Sequence, residues 1–194
     1  MFFALNNQIL RRVWQFVRVP LAVIFVLFVG LVIYRIPVVK ERARTEEVVK
    51  KIQSQKLTMA DVTGERLPPE PDPLLKDATV EGIDFNENGI RDDVELAIFK
   101  LHPNSARIRA AELQYAMALQ NELTSDVFNS DTLVAIIKQE GRGYLCISEN
   151  KNITEVESLV FNNESRKKVR EDIRKKYLVS FSLSSESECD IPNL

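Results

Sequence analysis

The stretch Asp84–Glu95 reads DFNENGIRDDVE and has the residue pattern of a loop that binds a hard cation. Asp84, Asn86 and Asn88 place an oxygen-bearing side chain at every second position, so their oxygens can converge on one point. Gly89 follows, and glycine adopts the left-handed backbone of a sharp turn at little cost. The stretch ends on a glutamate, which can supply two further oxygens.

The chemistry of these ligands indicates which ion the loop would hold. Carboxylate, amide and carbonyl oxygens suit calcium better than zinc or copper. We therefore predict a Ca²⁺ site with six ligand residues: Asp84, Asn86, Asn88, Ile90 through its backbone carbonyl, Asp92 directly or through water, and Glu95. The alternative is an Asn-Gly turn followed by acids that favour a helix N-terminus, without a metal.

Position by position, this stretch resembles the twelve-residue loop of an EF-hand. It departs from paired EF-hands at Arg91, where those place an aliphatic residue that contacts a partner loop. The order Gly89-Ile90 is similar to thrombospondin type-3 repeats and related bacterial calcium loops. Pro73 and Gly82 make a poor incoming helix. The resemblance implies a solitary loop followed by one helix, with a structural rather than a sensing role.

The segment Asn88–Glu95, NGIRDDVE, also resembles a stretch found in membrane-anchored exported bacterial proteins. That resemblance implies no activity.

After the loop, apolar residues recur at helical spacing, and no strand pattern is present. Val94, Ala97, Ile98 and Leu101 mark one apolar helix face, which His102-Pro103 ends. We predict a mainly α fold in which the loop leads into a small disulfide-linked helical bundle. The expected helices start near residue 92, then cover about 105–123, 130–140, 152–160 and 165–180, the third ending at Gly141 and Gly143.

An uncharged apolar block, VPLAVIFVLFVGLVIY, occupies Val19–Tyr34 between Arg18 and Arg35. With Ile36–Val39 it approaches the roughly 20 residues that cross a bilayer. We predict a single transmembrane anchor at 19–39. A cleaved signal peptide is the alternative, but no A-x-A pattern follows the block.

The orientation of the anchor is predicted from the cysteines and the loop, because basic residues flank the block on both sides. Cys146 and Cys189 would pair in an oxidising compartment, and calcium is abundant outside the cytoplasm. We therefore expect residues 1–18 in the cytoplasm and the domain outside it, in the periplasm. The alternative for the cysteines is two unrelated buried thiols.

Between anchor and loop, we predict a solvated helical stalk at 40–57 and a Pro-rich linker at 58–83. Four prolines between Leu67 and Leu74 exclude a helix or a central strand there. The calcium-loop domain would then comprise residues 84–194.

No catalytic constellation is present, and the net charge of −2 gives no basic footprint for nucleic acid. His102, the single histidine, is predicted as a helix cap or surface residue. The basic residues of 166–176 are predicted as a solvated face rather than an anionic docking patch, and Glu186 and Glu188 as solvated tail residues.

The function we expect is a membrane-anchored extracytoplasmic calcium-binding domain. It would serve as an interaction or structural module of the cell envelope and would bind an envelope protein. Two alternatives remain open: a hydrolase of envelope polymers that uses paired carboxylates, and an accessory subunit of a membrane complex.

Overall fold

The structure is a computed structural model that describes residues 2–147, 152–182 and 189–191. Within this part of the chain it contains seven α-helices and no strand, which confirms the predicted mainly helical fold. The helices are α1 Phe2–Ser54, α2 Met59–Thr63, α3 Asp92–Leu101, α4 Ala106–Thr124, α5 Ser130–Ile147, α6 Ile153–Val160 and α7 Glu164–Tyr177.

The chain divides into two compact units, Met1–Arg44 and Thr45–Leu194. The first unit consists of most of α1, whose segment Pro20–Ser54 is long and apolar enough to cross a membrane, with a mean hydropathy of 2.5 in its most apolar window. A signal sequence has the same features. One such helix among the described residues supports association with a membrane.

The second unit begins before the predicted domain boundary, because residues predicted as stalk and linker contribute to its core. Ile52 is 2% exposed and packs against Ala135 and Ile136 of α5. Leu57 and Val62 are buried in the main core. The isolated segments contain too few apolar residues to indicate this packing, which depends on long-range contacts.

Helix α2 lies within the segment predicted as linker, and residues next to it in the sequence cap both of its ends. Thr58 and Asp61 form a capping box at its start, and Gly64 ends it with φ 88°. The proline-rich residues Leu67–Asp72 have no regular secondary structure, in agreement with the pattern of prolines.

The predicted ends of α3 and α4 are confirmed: His102 is the C-cap of α3 and Ser105 the N-cap of α4. The predicted end of α5 is wrong, because the helix runs through Gly141 and Gly143 to Ile147. A Cβ at Gly143 would lie 2.8 Å from the Cα of Tyr115. Glycine is therefore needed here for close approach of α5 to α4, not for helix termination.

The predicted disulfide is confirmed, since Cys146 at the end of α5 is bonded to Cys189 with 5.6 Å between their Cα atoms. Asp190 next to it is also held, because its backbone N–H donates to Gln114 Oε1 at 2.9 Å and its carboxylate accepts from the N–H of Leu57 at 3.1 Å. Glu186 and Glu188, predicted as solvated, lie outside the described residues.

Candidate metal centre

The loop Asp84–Glu95 is placed by α3, which starts inside it at Asp92. Val94 and Ile98 of this helix are fully buried in the main core, as is Ile90 of the loop. No helix directly precedes the loop in the described chain, where turns and bends occupy residues 73–81. The arrangement of a loop followed by one helix agrees with the pattern of the sequence.

The backbone of the first half of the loop wraps around Asp84. Gly89 has φ 86°, the left-handed conformation expected at this position. Its N–H donates to Asp84 Oδ2 at 2.8 Å, and the N–H of Asn88 donates to Asp84 Oδ1 at 3.1 Å. The carboxylate of Asp84 is thereby turned into the loop.

The two asparagines bridge the beginning and the end of the loop. Asn86 Nδ2 and Asn88 Nδ2 donate to Glu95 Oε2 at 3.0 and 3.1 Å. Their Oδ1 atoms accept from the backbone N–H groups of Asn88 and Ile90 at 3.3 and 2.9 Å. Three of the predicted ligand residues thus meet around one carboxylate oxygen.

Glu95 has the most unusual environment in the loop. Its side chain is fully buried, and its Oε1 has no hydrogen-bond partner. Burial raises the pKa of Glu95 to about 7, although the hydrogen bonds from Asn86 and Asn88 lower it. A buried carboxylate oxygen without a donor is costly, and a bound cation would remove that cost.

The other two carboxylates are also shielded from water. Asp92 is 1% exposed and accepts from the N–H of Phe85 at 2.9 Å. Burial raises the pKa of both Asp92 and Asp84 above that of a free aspartate. In both residues the largest cause of the raised pKa is the removal of the carboxylate from water.

Ligand distances are not those of a formed site. In the described part of the chain, no group of three or more His, Cys, Asp and Glu side chains is placed to hold a metal ion. The amides of Asn86 and Asn88 also direct their nitrogens toward Glu95, and each must turn to present its oxygen. The fold brings Asp84, Asn86, Asn88 and Glu95 together by hydrogen bonds, while coordination stays a prediction.

Arg91 explains the main departure of the loop from a paired EF-hand. It is 1% exposed, and its guanidinium donates to Val160 O at 3.1 Å and to Leu159 O at 2.9 Å. It also pairs with Asp93. A position that would contact a second loop instead contacts the C-terminal end of α6, where carbonyls lack helical partners.

Sequence reasoning missed the buried basic residues of α7. Arg166 is fully buried and donates to the carbonyls of Val80 and Lys76 at 2.9 and 3.0 Å, and it pairs with Asp77. The prediction of a wholly solvated face is therefore wrong for this residue. Its charged and polar sequence neighbours gave no sign of burial, because the acceptors come from a segment about 90 residues earlier.

A second acidic cluster joins α4, α5 and α7. Arg174 donates to Glu122 Oε1 through Nε at 2.9 Å and to Glu140 Oε2 at 2.7 Å. Burial raises the pKa of Glu140 well above its usual value, and the adjacent Glu122 raises it further. A cavity of about 550 Å³ adjoins the cluster, and its polar lining comes from Tyr115, Glu140, Tyr144, Glu157, Arg170 and Arg174.

His102 lies at the C-terminus of α3, with Nε2 3.0 Å from Glu112 Oε1, which confirms its predicted role as a cap. Burial raises the pKa of Glu112.

Comparison with known proteins identified no matching family model, curated protein or solved structure.

Proposed function

We propose that Asp84–Glu95 binds one calcium ion, which stabilises the domain that contains it. The observation that carries the proposal is Glu95, a fully buried carboxylate with one oxygen unpartnered and the other held by two loop asparagines. A hard divalent cation would compensate the acidic groups that burial disfavours. Helix α3 would then be held at its N-terminus by the ion.

Six residues would hold the ion. Asp84, Asn86 and Asn88 would supply side-chain oxygens, Ile90 its carbonyl, Asp92 a direct or water-mediated contact, and Glu95 both carboxylate oxygens. The backbone hydrogen bonds to Asp84 and Asn88 leave further lone pairs on these oxygens. Calcium accepts such mixed oxygen ligands, whereas magnesium requires stricter octahedral geometry.

The proposed location is outside the cytoplasm, with the chain anchored by α1. The apolar segment in Pro20–Ser54 supports the membrane anchor, and the Cys146–Cys189 disulfide supports an oxidising compartment. A cysteine-labelling reagent that cannot cross membranes would test this orientation. After reduction, labelling of intact cells or spheroplasts at these two cysteines is expected, and labelling only after lysis would contradict it.

The proposed role is an interaction or structural module of the cell envelope. Phe85, at the second position of the loop, is 71% exposed and would lie beside the bound ion. An exposed aromatic next to an ion-ordered loop is suited to contact with a protein partner. Affinity capture from membranes with calcium and with chelator should recover a partner only with calcium. A Phe85→Ser variant should lose that partner while it keeps the ion.

Thermal unfolding of the full chain in detergent tests calcium binding. Calcium at about 100 times its Kd should raise the melting temperature by roughly 5 to 10 °C. Glu95→Gln should abolish the increase. Glu87→Gln is the matched control, because Glu87 is an exposed acid of the same loop and is not a predicted ligand. Equal melting temperatures with calcium and with chelator would contradict the proposal.

A hydrolase is the second candidate, and the cavity beside Glu140 is the observation that favours it. Glu140 has a raised pKa, as a general acid requires, and Glu157 lies in the same lining. The test is release of reducing ends from purified envelope polysaccharide. Release by the wild type that Glu140→Gln abolishes would support this candidate, and absence of release would exclude it.

A further inference from the structure

Arg66, outside the twelve-residue loop, contacts it directly. Arg66 Nη2 donates to Asn86 O at 2.6 Å, and Asn86 Nδ2 donates to Arg66 O at 2.8 Å. This two-way contact fixes the third loop position from a segment twenty residues earlier in the chain.

Only one of the two carboxylate oxygens of Asp61 takes part in the N-terminal cap of α2. Its Oδ2 accepts from the N–H and the hydroxyl of Thr58 at 2.8 and 2.6 Å, which completes the cap of α2. Its Oδ1 has no hydrogen-bond donor, although the residue is only 2% exposed. Arg66 Nη1 lies 3.5 Å from this oxygen, beyond the distance of a strong charged hydrogen bond.

We propose that Asp61 is a further carboxylate of the calcium site, supplied from outside the loop. This inference rests on the proposed calcium site and adds a residue to it. The Arg66 guanidinium lies between Asp61 and the loop, because its Nη1 is 3.5 Å from Asp61 Oδ1 and its Nη2 donates to Asn86 O. Asp61 Oδ1 and Glu95 Oε1 are two buried oxygens without donors, and one cation near both would satisfy them.

Electrostatics agree with this assignment. Asp61 and Glu95 are both buried acidic residues, with 2% and 0% of their surface exposed. Repulsion between two buried carboxylates is relieved by a divalent cation close to both. The Arg66 side chain is 46% exposed, so water screens much of its compensating charge. Asp61 would therefore increase the affinity of the site for calcium.

Titration calorimetry of the full chain in detergent with CaCl₂ tests the assignment with two variants. Asp61→Asn keeps the size of the side chain and an oxygen for the cap, and removes the charge. We expect it to raise the Kd for calcium by roughly tenfold or more, since ligand charge sets calcium affinity. Thr58→Ala is the matched control, which removes the cap partner and keeps the carboxylate. It should change the Kd by less than about twofold while it lowers the melting temperature.

The results of these titrations distinguish a role of Asp61 from calcium binding by the loop. No calcium uptake by the wild type would overturn both. Wild-type uptake with an unchanged Kd in Asp61→Asn would overturn the role of Asp61 alone, as would equal weakening by both variants. If Asp61→Asn loses its helical circular dichroism, Asp61→Gln replaces it, since it is also neutral and should raise the Kd in the same way. A folded Asp61→Gln that binds calcium as tightly as the wild type would overturn the assignment.

Discussion

Arg91 Nη1 donates a hydrogen bond to the carbonyl oxygen of Val160 at 3.1 Å and so joins the candidate calcium loop to the end of α6. The loop is therefore stabilised by a helix terminus of its own domain. An isolated loop needs such a contact, because it has no second loop against which to pack. The guanidinium is 1% exposed, so this contact is shielded from water.

Replacement of Arg91 should destabilise the domain strongly. Arg91→Leu would leave the carbonyls of Val160 and Leu159 and the carboxylate of Asp93 without their partner. We expect a loss of about 3 kcal/mol in the free energy of unfolding, measured by urea denaturation. Lys138→Leu on the exposed surface of α5 is the control, with a change of about 0.5 kcal/mol or less. Equal effects of the two substitutions would contradict the role of Arg91.

Gly143 provides a prediction in which two physical effects have opposite signs. In an exposed helix interior, Gly→Ala stabilises by about 1 kcal/mol. Here the added methyl would lie 2.8 Å from Tyr115 Cα, and α5 would have to move away from α4. We therefore expect Gly143→Ala to lower the free energy of unfolding by about 1 to 3 kcal/mol. An increase in stability would show that the two helices are not this close.

The Glu122–Glu140 pair predicts how stability depends on pH. The pKa of Glu140 is higher in the folded than in the unfolded chain, chiefly because of burial and then because of Glu122. Its contribution to stability is thus complete below about pH 4.5 and falls by about 1.4 kcal/mol per pH unit until the folded pKa is reached. Arg170 and Arg174, the cations that face it, lower this pKa and limit the loss.

Glu140→Gln should remove this pH dependence, because an amide keeps a donor toward Glu122 without a titrating proton. Urea denaturation between pH 4.5 and 8 should give a flatter stability profile for the variant than for the wild type. Asp131→Asn changes an exposed acid of the same helix and is the control. A wild-type profile no steeper than that of Glu140→Gln would contradict a raised pKa of Glu140 in the folded chain.

The disulfide should contribute a large part of the stability of the domain. It closes a separation of 43 residues between α5 and the C-terminal segment. Cys189→Ser should cost about 3 to 4 kcal/mol by the chain-entropy estimate, measured as a lower denaturation midpoint. Dithiothreitol should lower the wild-type midpoint equally and leave the variant unchanged. An unaffected wild type would contradict a stabilising bridge.

Local sequence patterns are sufficient to predict a feature when the groups that interact lie close together in the chain. The ends of α3 and α4 were predictable because His102-Pro103 and Ser105 act through adjacent backbone groups. The disulfide was predicted from the two cysteines on the condition that the domain is exported, and the bond itself is confirmed. The convergence of Asn86, Asn88 and Glu95 was predictable because one short loop contains all three.

The remaining features depend on contacts between distant segments. In the sequence, Gly143 indicates a helix end. The structure shows instead that Tyr115 lies so close to Gly143 that no larger residue fits there. In the sequence, Arg166 is typical of a solvated residue. In the structure its guanidinium donates to the carbonyls of Lys76 and Val80. Asp61 lies in a stretch that its composition assigns to a linker, and only the tertiary structure shows that its partner Arg66 contacts the loop.

Calcium uptake by the loop is the central claim, and isothermal titration calorimetry on the full chain measures it directly. Titration of calcium into chelator-treated protein should give a saturable heat with about one ion per chain. Glu95→Gln should show no such heat, and Glu87→Gln should resemble the wild type. A wild-type titration without saturable heat, or one that Glu95→Gln reproduces, would contradict the claim.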